Sequence, residues 1–307
     1  MTAITTKLWR TPHGAVALAR GSEMMALWCT SPAIVLMLAT TLAPFCAVLV
    51  LSLTDYELGD LTLSWIGLAN FARAIRDPEV RQAVANTFVF AGMVVPSAVC
   101  LALFFALLVN SRTKSRRLYE LAFFLPITAT MPVMSLVWSF LLHDRIGPIT
   151  TLLQFFGVPT VQFFSNPTII LGTLAVIAVW QHMGFCFIIF LAGLTTVPAE
   201  LYEAAALDGA DRGWEKFRRI TWPHVAPTAL VAVLLTTMRT FQVFELVAVL
   251  TQGGPAGRSQ VILYKTYLEA FSYFRVGYGS ALTLIFVTIV GTISLIQLTF
   301  ARRNRAA

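Results

Sequence analysis

Long apolar runs alternate with short polar stretches along this chain, at about 26–53, 83–109, 118–142, 169–194, 228–250 and 280–300. Each reaches the roughly 20 residues that a helix rising 1.5 Å per residue needs to cross a bilayer core. The pattern therefore predicts an all-α membrane protein with six transmembrane helices. Prolines recur inside the runs, at Pro32 and Pro44, Pro96, and Pro126 and Pro132. Each removes a backbone donor and should kink its helix, which a membrane tolerates when neighbours re-satisfy the freed carbonyl. Larger loops fall at about 54–82, 143–168 and 251–277. In the first, Ile66, Phe71 and Ile75 sit among polar residues, as in an interfacial amphipathic helix. The third opens on the turn signal Gln252-Gly253-Gly254-Pro255 and continues as a helix-like aromatic run through Tyr264, Tyr267 and Phe271.

Composition agrees with the pattern: 57% hydrophobic residues, 12% charged and a mean hydropathy of +0.76 are too apolar for a soluble domain. The first run is too long for a signal-peptide core and lacks a small-x-small cleavage site, so an uncleaved first span is expected. Cys29, Cys46, Cys100 and Cys186 all fall inside predicted spans, where thiols behave as small apolar groups rather than as a disulfide or metal framework. Lysines and arginines set the orientation. With the N-terminus inside, the inner segments hold fourteen of them and the outer loops seven. Both termini are thus expected in the cytoplasm, with tails 1–25 and 302–307 flanking one membrane domain, 26–301. The net charge of +7 reflects this topology; no basic stretch is interleaved with base-stacking aromatics, so no nucleic-acid partner is expected.

One connection, 195–227, is charge-rich and helix-forming. Thr196 and Pro198 give a helix start, Ala204, Ala205, Ala206 and Leu207 continue it, and Gly209 is a natural C-terminal cap after Asp208. Asp211 can cap a second short helix running through Trp214 and Phe217 until Pro223 ends it. Small residues allow close approach of another surface, and the charges can pair at its rim. Helix, glycine turn, helix is a docking shape, with no nucleophile, metal cluster or phosphate loop.

These residues resemble the cytoplasmic loop, Glu-Ala-Ala followed by Gly and then Ile-x-x-Pro, of permease subunits in binding-protein-dependent ABC importers. The matching positions are Glu203, Ala204, Ala205, Gly209, Ile220 and Pro223. Trp222 stands where leucine is usual, and the ten residues between Gly209 and Ile220 are one more than the common spacing. Ser52-Leu53-Thr54-Asp55-Tyr56, Trp65 to Phe71, and Leu250 to Pro255 are similar to the carbohydrate-type permeases related to maltose and glycerol-3-phosphate uptake. The resemblance implies the type I importer permease fold and a coupling helix that docks on an ATPase, through Glu203, Ala204, Ala205, Leu207, Asp208, Gly209, Ile220 and Pro223. It also implies a second permease subunit, two ATP-binding cassette subunits and an extracytoplasmic solute-binding protein. No cofactor is implied on this chain, since ATP and magnesium belong to the partner ATPase; no Walker-type Gly-x-x-x-x-Gly-Lys-[Ser/Thr] occurs here.

Polar residues at bilayer depth mark the candidate pathway. A charge there costs several kcal/mol, so Arg239 and Glu245 need a cavity or a partner. On one continuous helix Arg239 and Gln242 lie close to one face, while Glu245 points elsewhere. Trp180, Gln181 and His182 interrupt the fourth run. In the family that this chain resembles, such residues line the cavity: aromatic faces stack on sugar rings and polar groups bond hydroxyls. Trp180, Gln181, Arg239, Gln242 and Glu245 are the substrate-cavity candidates, whereas His182 is expected to join helix to helix. Arg239 would also suit glycerol-3-phosphate or a glycerophosphodiester. An ion-coupled secondary transporter, the rival class, predicts several intramembrane acids or paired half-helices, and only Glu245 lies clearly within a run. A membrane enzyme would need a catalytic constellation, and His13, His143, His182 and His224 are scattered.

Overall fold

The computed structural model describes Met25 and residues 28–112, 115–207 and 213–306. Among the described residues the regular structure is helical, with one isolated bridge between Thr54 and Trp65. The helices are α1 (Trp28–Leu51), α2 (Ala69–Arg76), α3 (Pro78–Asn110), α4 (Arg116–Thr128), α5 (Met131–Leu141), α6 (Pro148–Phe155), α7 (Ile170–Thr195), α8 (Ala199–Leu207), α9 (Gly213–Phe241), α10 (Glu245–Leu250), α11 (Ile262–Tyr267) and α12 (Val276–Ala306). By length and composition α1, α3, α7, α9 and α12 can each cross a membrane.

The third apolar run departs from the expected single rod. It is broken into α4 and α5, bent by 102°. Ala129 and Thr130 are both extended at the corner, and Pro132 occupies the first turn of α5, where its missing N–H costs nothing. The fifth run also departs, at both ends. Helix α9 begins at Gly213, far before residue 228, and stops at Phe241; residues 242–244 break the helix and Glu245 opens α10. Pro223 does not end a helix, against expectation, because it lies inside α9.

The prolines at 44 and 223 share a device. A π-turn at Leu38–Leu42 ends two residues before Pro44, and another at Phe217–Thr221 ends two residues before Pro223. A wider i→i+5 turn opens the ladder where the ring would collide with the preceding turn, so the helix continues. His224 adds a hydrogen bond of 2.7 Å between its Nδ1 and the Ile220 carbonyl. The π ring also holds one residue more than an α ring, which matches the surplus residue in the 209–220 spacing.

Helices α3 and α7 make the most extensive contact in the bundle. Ala98, Ala102 and Ala106 recur every four residues on α3 and are fully buried, and Phe187 and Phe190 of α7 fill the same core as Ala102 and Ala106. Lipid offers no hydrophobic drive for helices to associate, so such close packing carries the contact. Gly184 of α7 backs onto the Phe123 carbonyl of α4 so closely that a Cβ would collide, and a Cβ on Gly193 would stand 2.6 Å from Thr228 Oγ1. Cross-helix polar bonds add to this: Cys186 Sγ and Thr236 Oγ1 are 2.9 Å apart, and Gln297 donates to Thr237 at 2.9 Å.

At the end of the bundle away from α8, the segment that follows α1 is tied to α2 and to α12. Asn70, on the buried side of α2, donates to the Ser52 and Thr54 carbonyls at 3.0 and 2.8 Å, and Gly277 N–H donates to the Tyr56 carbonyl at 2.8 Å. Ile75, expected on an apolar anchoring face, is exposed, as is Leu68. The Thr251–Pro255 turn carries positive φ at Gln252 and Gly253, and Ser259 closes it with bonds to Thr251 Oγ1 and the Gly254 carbonyl.

Candidate functional site

The two helix breaks face each other across one cavity of about 440 Å³. It is lined by Ile127 and Met131 on either side of the α4–α5 corner, by Ala178, Gln181, His182 and Phe185 of α7, and by Arg239, Gln242, Val243 and Glu245 around the α9–α10 break. Breaks make room because a continuous helix would fill its own axis and point its side chains around the full circle. The α9–α10 break also corrects the helical-wheel expectation: Glu245 returns to the cavity that Arg239 lines. Helix α9 ends with Gln242 N–H on the Met238 carbonyl at 3.3 Å and Val243 N–H on the Thr240 carbonyl at 3.2 Å.

The α7 wall follows helical spacing. Residues 178, 181, 182 and 185 form one stripe at i, i+3, i+4 and i+7. Trp180 is off that stripe and is not among the lining residues; its ring meets Trp138 edge-on at 5.6 Å. His182, expected at a helix interface, is on the stripe and lines the cavity. The available signal was helical spacing: Ala178 lies three residues before Gln181 and Phe185 four after it, and His182 is four after Ala178. Ile127 and Met131 carried none, since nothing local places a corner between them.

Gln181 lines the cavity and also braces its rim. Its side-chain amide donates to the Ala129 carbonyl at the α4–α5 corner, a long bond of 3.4 Å that helps satisfy backbone freed by the bend. Arg239 lies over the Phe185 ring with its guanidinium carbon 3.9 Å from the centroid, a cation–π contact within the usual reach. Neither Arg239 nor Glu245 has an ion-pair partner among the described residues.

The second candidate site is α8. Glu203, Ala204 and Leu207 are exposed, Leu207 at 89%, while Ala205 is buried against the bundle. Asp208 and Gly209 lie outside the described residues. After them, Ile220 packs into the core shared by α3, α7 and α9, and Pro223 is exposed. Tyr202 links the two pieces: its hydroxyl is 3.2 Å from Thr221 Oγ1, and the Lys216 ammonium sits 4.7 Å above its ring. Trp214 stacks on Phe217 at 5.6 Å, and Phe217 meets Trp222 at 6.0 Å.

Residues 69–306 match the family described as binding-protein-dependent transport system inner membrane component. The chain belongs to this family. Among similar proteins, the probable ABC transporter permease YesP of Bacillus subtilis is 35% identical over 271 residues, covering 87% of this chain and 86% of that one. The trehalose/maltose transport system permease MalF of Thermococcus litoralis is 30% identical over 244 residues, covering 78% and 81%. A crystal structure of a bacterial alginate ABC transporter, in complex with an alginate-bound periplasmic protein, superposes with a TM-score of 0.81 at 21% identity, over 94% of this chain and 96% of that one. That likeness shows the ABC importer permease fold. The chain is thus an ABC importer permease subunit of the inner membrane.

Proposed function

We propose that this permease, paired with a second and different permease subunit, forms the pathway for a sugar or related polyol delivered by an extracytoplasmic binding protein. Two separate ATPase subunits, which carry ATP and magnesium, would drive it through α8, with both termini cytoplasmic. The observation that carries the substrate reading is the cavity at the two helix breaks. Its volume falls in the range of about 300–1,000 Å³ of small-molecule sites, and it offers an aromatic ring, two amides, an imidazole and one charge of each sign. Ring faces and hydrogen-bonding edges together suit a polyhydroxylated ligand. Arg239 alone would favour a phosphorylated polyol, but Glu245 lines the same cavity and opposes a dianion, so a neutral sugar fits better.

The docking reading rests on α8, which leaves Glu203, Ala204 and Leu207 exposed at one end of the bundle while Ala205 and Tyr202 hold it to the core. Co-purification tests it. The tagged chain, expressed with its neighbouring genes, should bring down an ATPase, and Ala204→Trp on the exposed face should abolish that capture. Proteoliposomes holding the assembled complex and its binding protein should take up radiolabelled maltose, trehalose or lactose in preference to sn-glycerol 3-phosphate. Uptake of the phosphate alone would overturn the sugar reading, and failure of the wild-type chain to capture any ATPase would overturn the coupling reading.

A further inference from the structure

Arg239 stands in the last turn of α9 and has no ion-pair partner among the described residues, yet its charge is not left bare. The closing carbonyls of α9 carry the negative end of the helix dipole, which favours a cation in the final turn. The Phe185 ring of α7 adds a second support. Its centroid is 3.9 Å from the guanidinium carbon, close enough that the guanidinium lies against the ring face rather than aiming an N–H at it. A carboxylate partner would occupy the N–H fork of Arg239; a ring against the flat face steadies the charge and takes none of the donors.

Glu245 is the acid that lines the same cavity, from the far side of the α9–α10 break. Arg239 and Glu245 are both exposed, and no ion pair joins them. Such a pair would satisfy each charge and withdraw both from a ligand. Phe185 is placed to prevent it. The residue shares the α7 stripe with Gln181, lines the cavity itself, and packs against the core formed by α3, α7 and α9. The ring is thus carried by a packed helix, while the guanidinium it touches hangs on a long and otherwise free side chain. A held group loses less freedom when it meets a ligand, so the contact prepares Arg239 as well as stabilising it.

We propose that Phe185 is a positioning residue for transport: its ring holds the Arg239 guanidinium apart from Glu245, so that the donors of one and the oxygens of the other both stay open to the ligand. The choice of ligand rests on the sugar reading above; the brace itself does not. A sugar is then gripped from two directions, with Arg239 donating to hydroxyl oxygens and Glu245 accepting from hydroxyl hydrogens. When the sugar leaves, the ring keeps the guanidinium from collapsing onto the carboxylate, and the cavity stays ready for the next molecule.

Uptake by proteoliposomes holding the complete importer and its binding protein tests the brace, with radiolabelled maltose, trehalose and lactose as probes. Phe185→Leu keeps apolar bulk but gives up the ring, and should raise the KM for the sugar that the wild type takes up by about 3- to 10-fold. Phe185→Tyr keeps the ring and should stay within about 2-fold of the wild type. The deciding comparison removes the guanidinium. In an Arg239→Leu background, Phe185→Leu should change the KM by less than about 2-fold, because the ring then has nothing to hold. An undiminished effect there overturns the proposal, since it marks the ring as a stacking surface for the sugar itself or as packing. In a Glu245→Gln background, which offers no charge to collapse onto, Phe185→Leu should cost less than it does in the wild type; an equal cost overturns the proposal too. So does a Phe185→Leu or Arg239→Leu complex that loses a partner chain on co-purification, which assigns the contact to assembly. Wild-type uptake of sn-glycerol 3-phosphate with no ring sugar sinks the sugar reading alone, and the same comparisons run with the phosphate as probe still decide the brace.

Discussion

Two groups of charges in this permease are treated in opposite ways. On the loop side, Lys265 and Glu269 are almost fully buried and satisfy each other at 2.8 Å, with Glu79 and Arg275 completing the network from more exposed positions. In the bundle, Arg239 and Glu245 line one cavity, and neither is paired among the described residues. A buried charge without a partner costs several kcal/mol, so the closed network can only be a fastening of the fold. The open pair is tolerated because the helix breaks leave it a cavity, and what stays open can meet a ligand. Pairing separates fastening from function here.

The harshest test removes one member of the fastening. Glu269→Ala leaves the buried Lys265 ammonium with the exposed Glu79 as its one remaining partner and should cost about 3 kcal/mol, read as a fall in melting temperature of the purified complex. The double variant Lys265→Met/Glu269→Leu should recover most of that loss, because two apolar side chains leave no charge behind; a double variant as unstable as the single one would break the distinction. Next, Arg239→Leu should reduce sugar uptake by about 10-fold or more while shifting stability by no more than about 1 kcal/mol, since no ion pair is lost. A large stability loss with intact uptake would move Arg239 into the fastening class. Smaller still, Glu79→Gln should cost about 1 kcal/mol or less, because the Glu79 side chain is 66% exposed and its pairing is screened.

The smallest effect concerns pH. Burial alone would lower the Lys265 pKa, but hydrogen bonds to Glu269 and Glu79 outweigh it and hold the value above its ordinary 10.5. A raised cation contributes stability that is complete below the unfolded value and is lost as pH rises through the folded one. Melting temperature should therefore be insensitive to this group from neutral pH up to about 10, with loss only beyond that. A Lys265-dependent loss near pH 8 would contradict the closed network.

Several features were legible before any tertiary contact was known. The apolar runs gave the long helices, because a bilayer-length stretch without charges has few other ways to satisfy its backbone. The 199–207 helix was legible from Pro198 and its alanines, and the aromatic spacing of Tyr264, Tyr267 and Phe271 from local period alone. The α4–α5 break left a trace in Pro126 and Pro132, but a kink and a 102° corner read alike in one dimension. Trp180 and His182 exchanged expected places because residue type was weighed over helical position, and the stripe through Gln181 decides which neighbour shares its face.

Local pattern by itself determined which segments are helical, that they belong in a membrane and that the connection after α7 carries a helix of its own, because these depend on residue type and short-range period. The tertiary structure alone decided where α9 stops. Gln242-Val243-Phe244 contains neither proline nor glycine, so nothing local forbids the helix from continuing. Packing of α10 against α5, and of Phe244 against Tyr264 and Tyr267, goes with the break. That break joins Arg239 and Glu245 in one cavity, since the direction of a side chain beyond the end of a helix is set by what the next segment packs against.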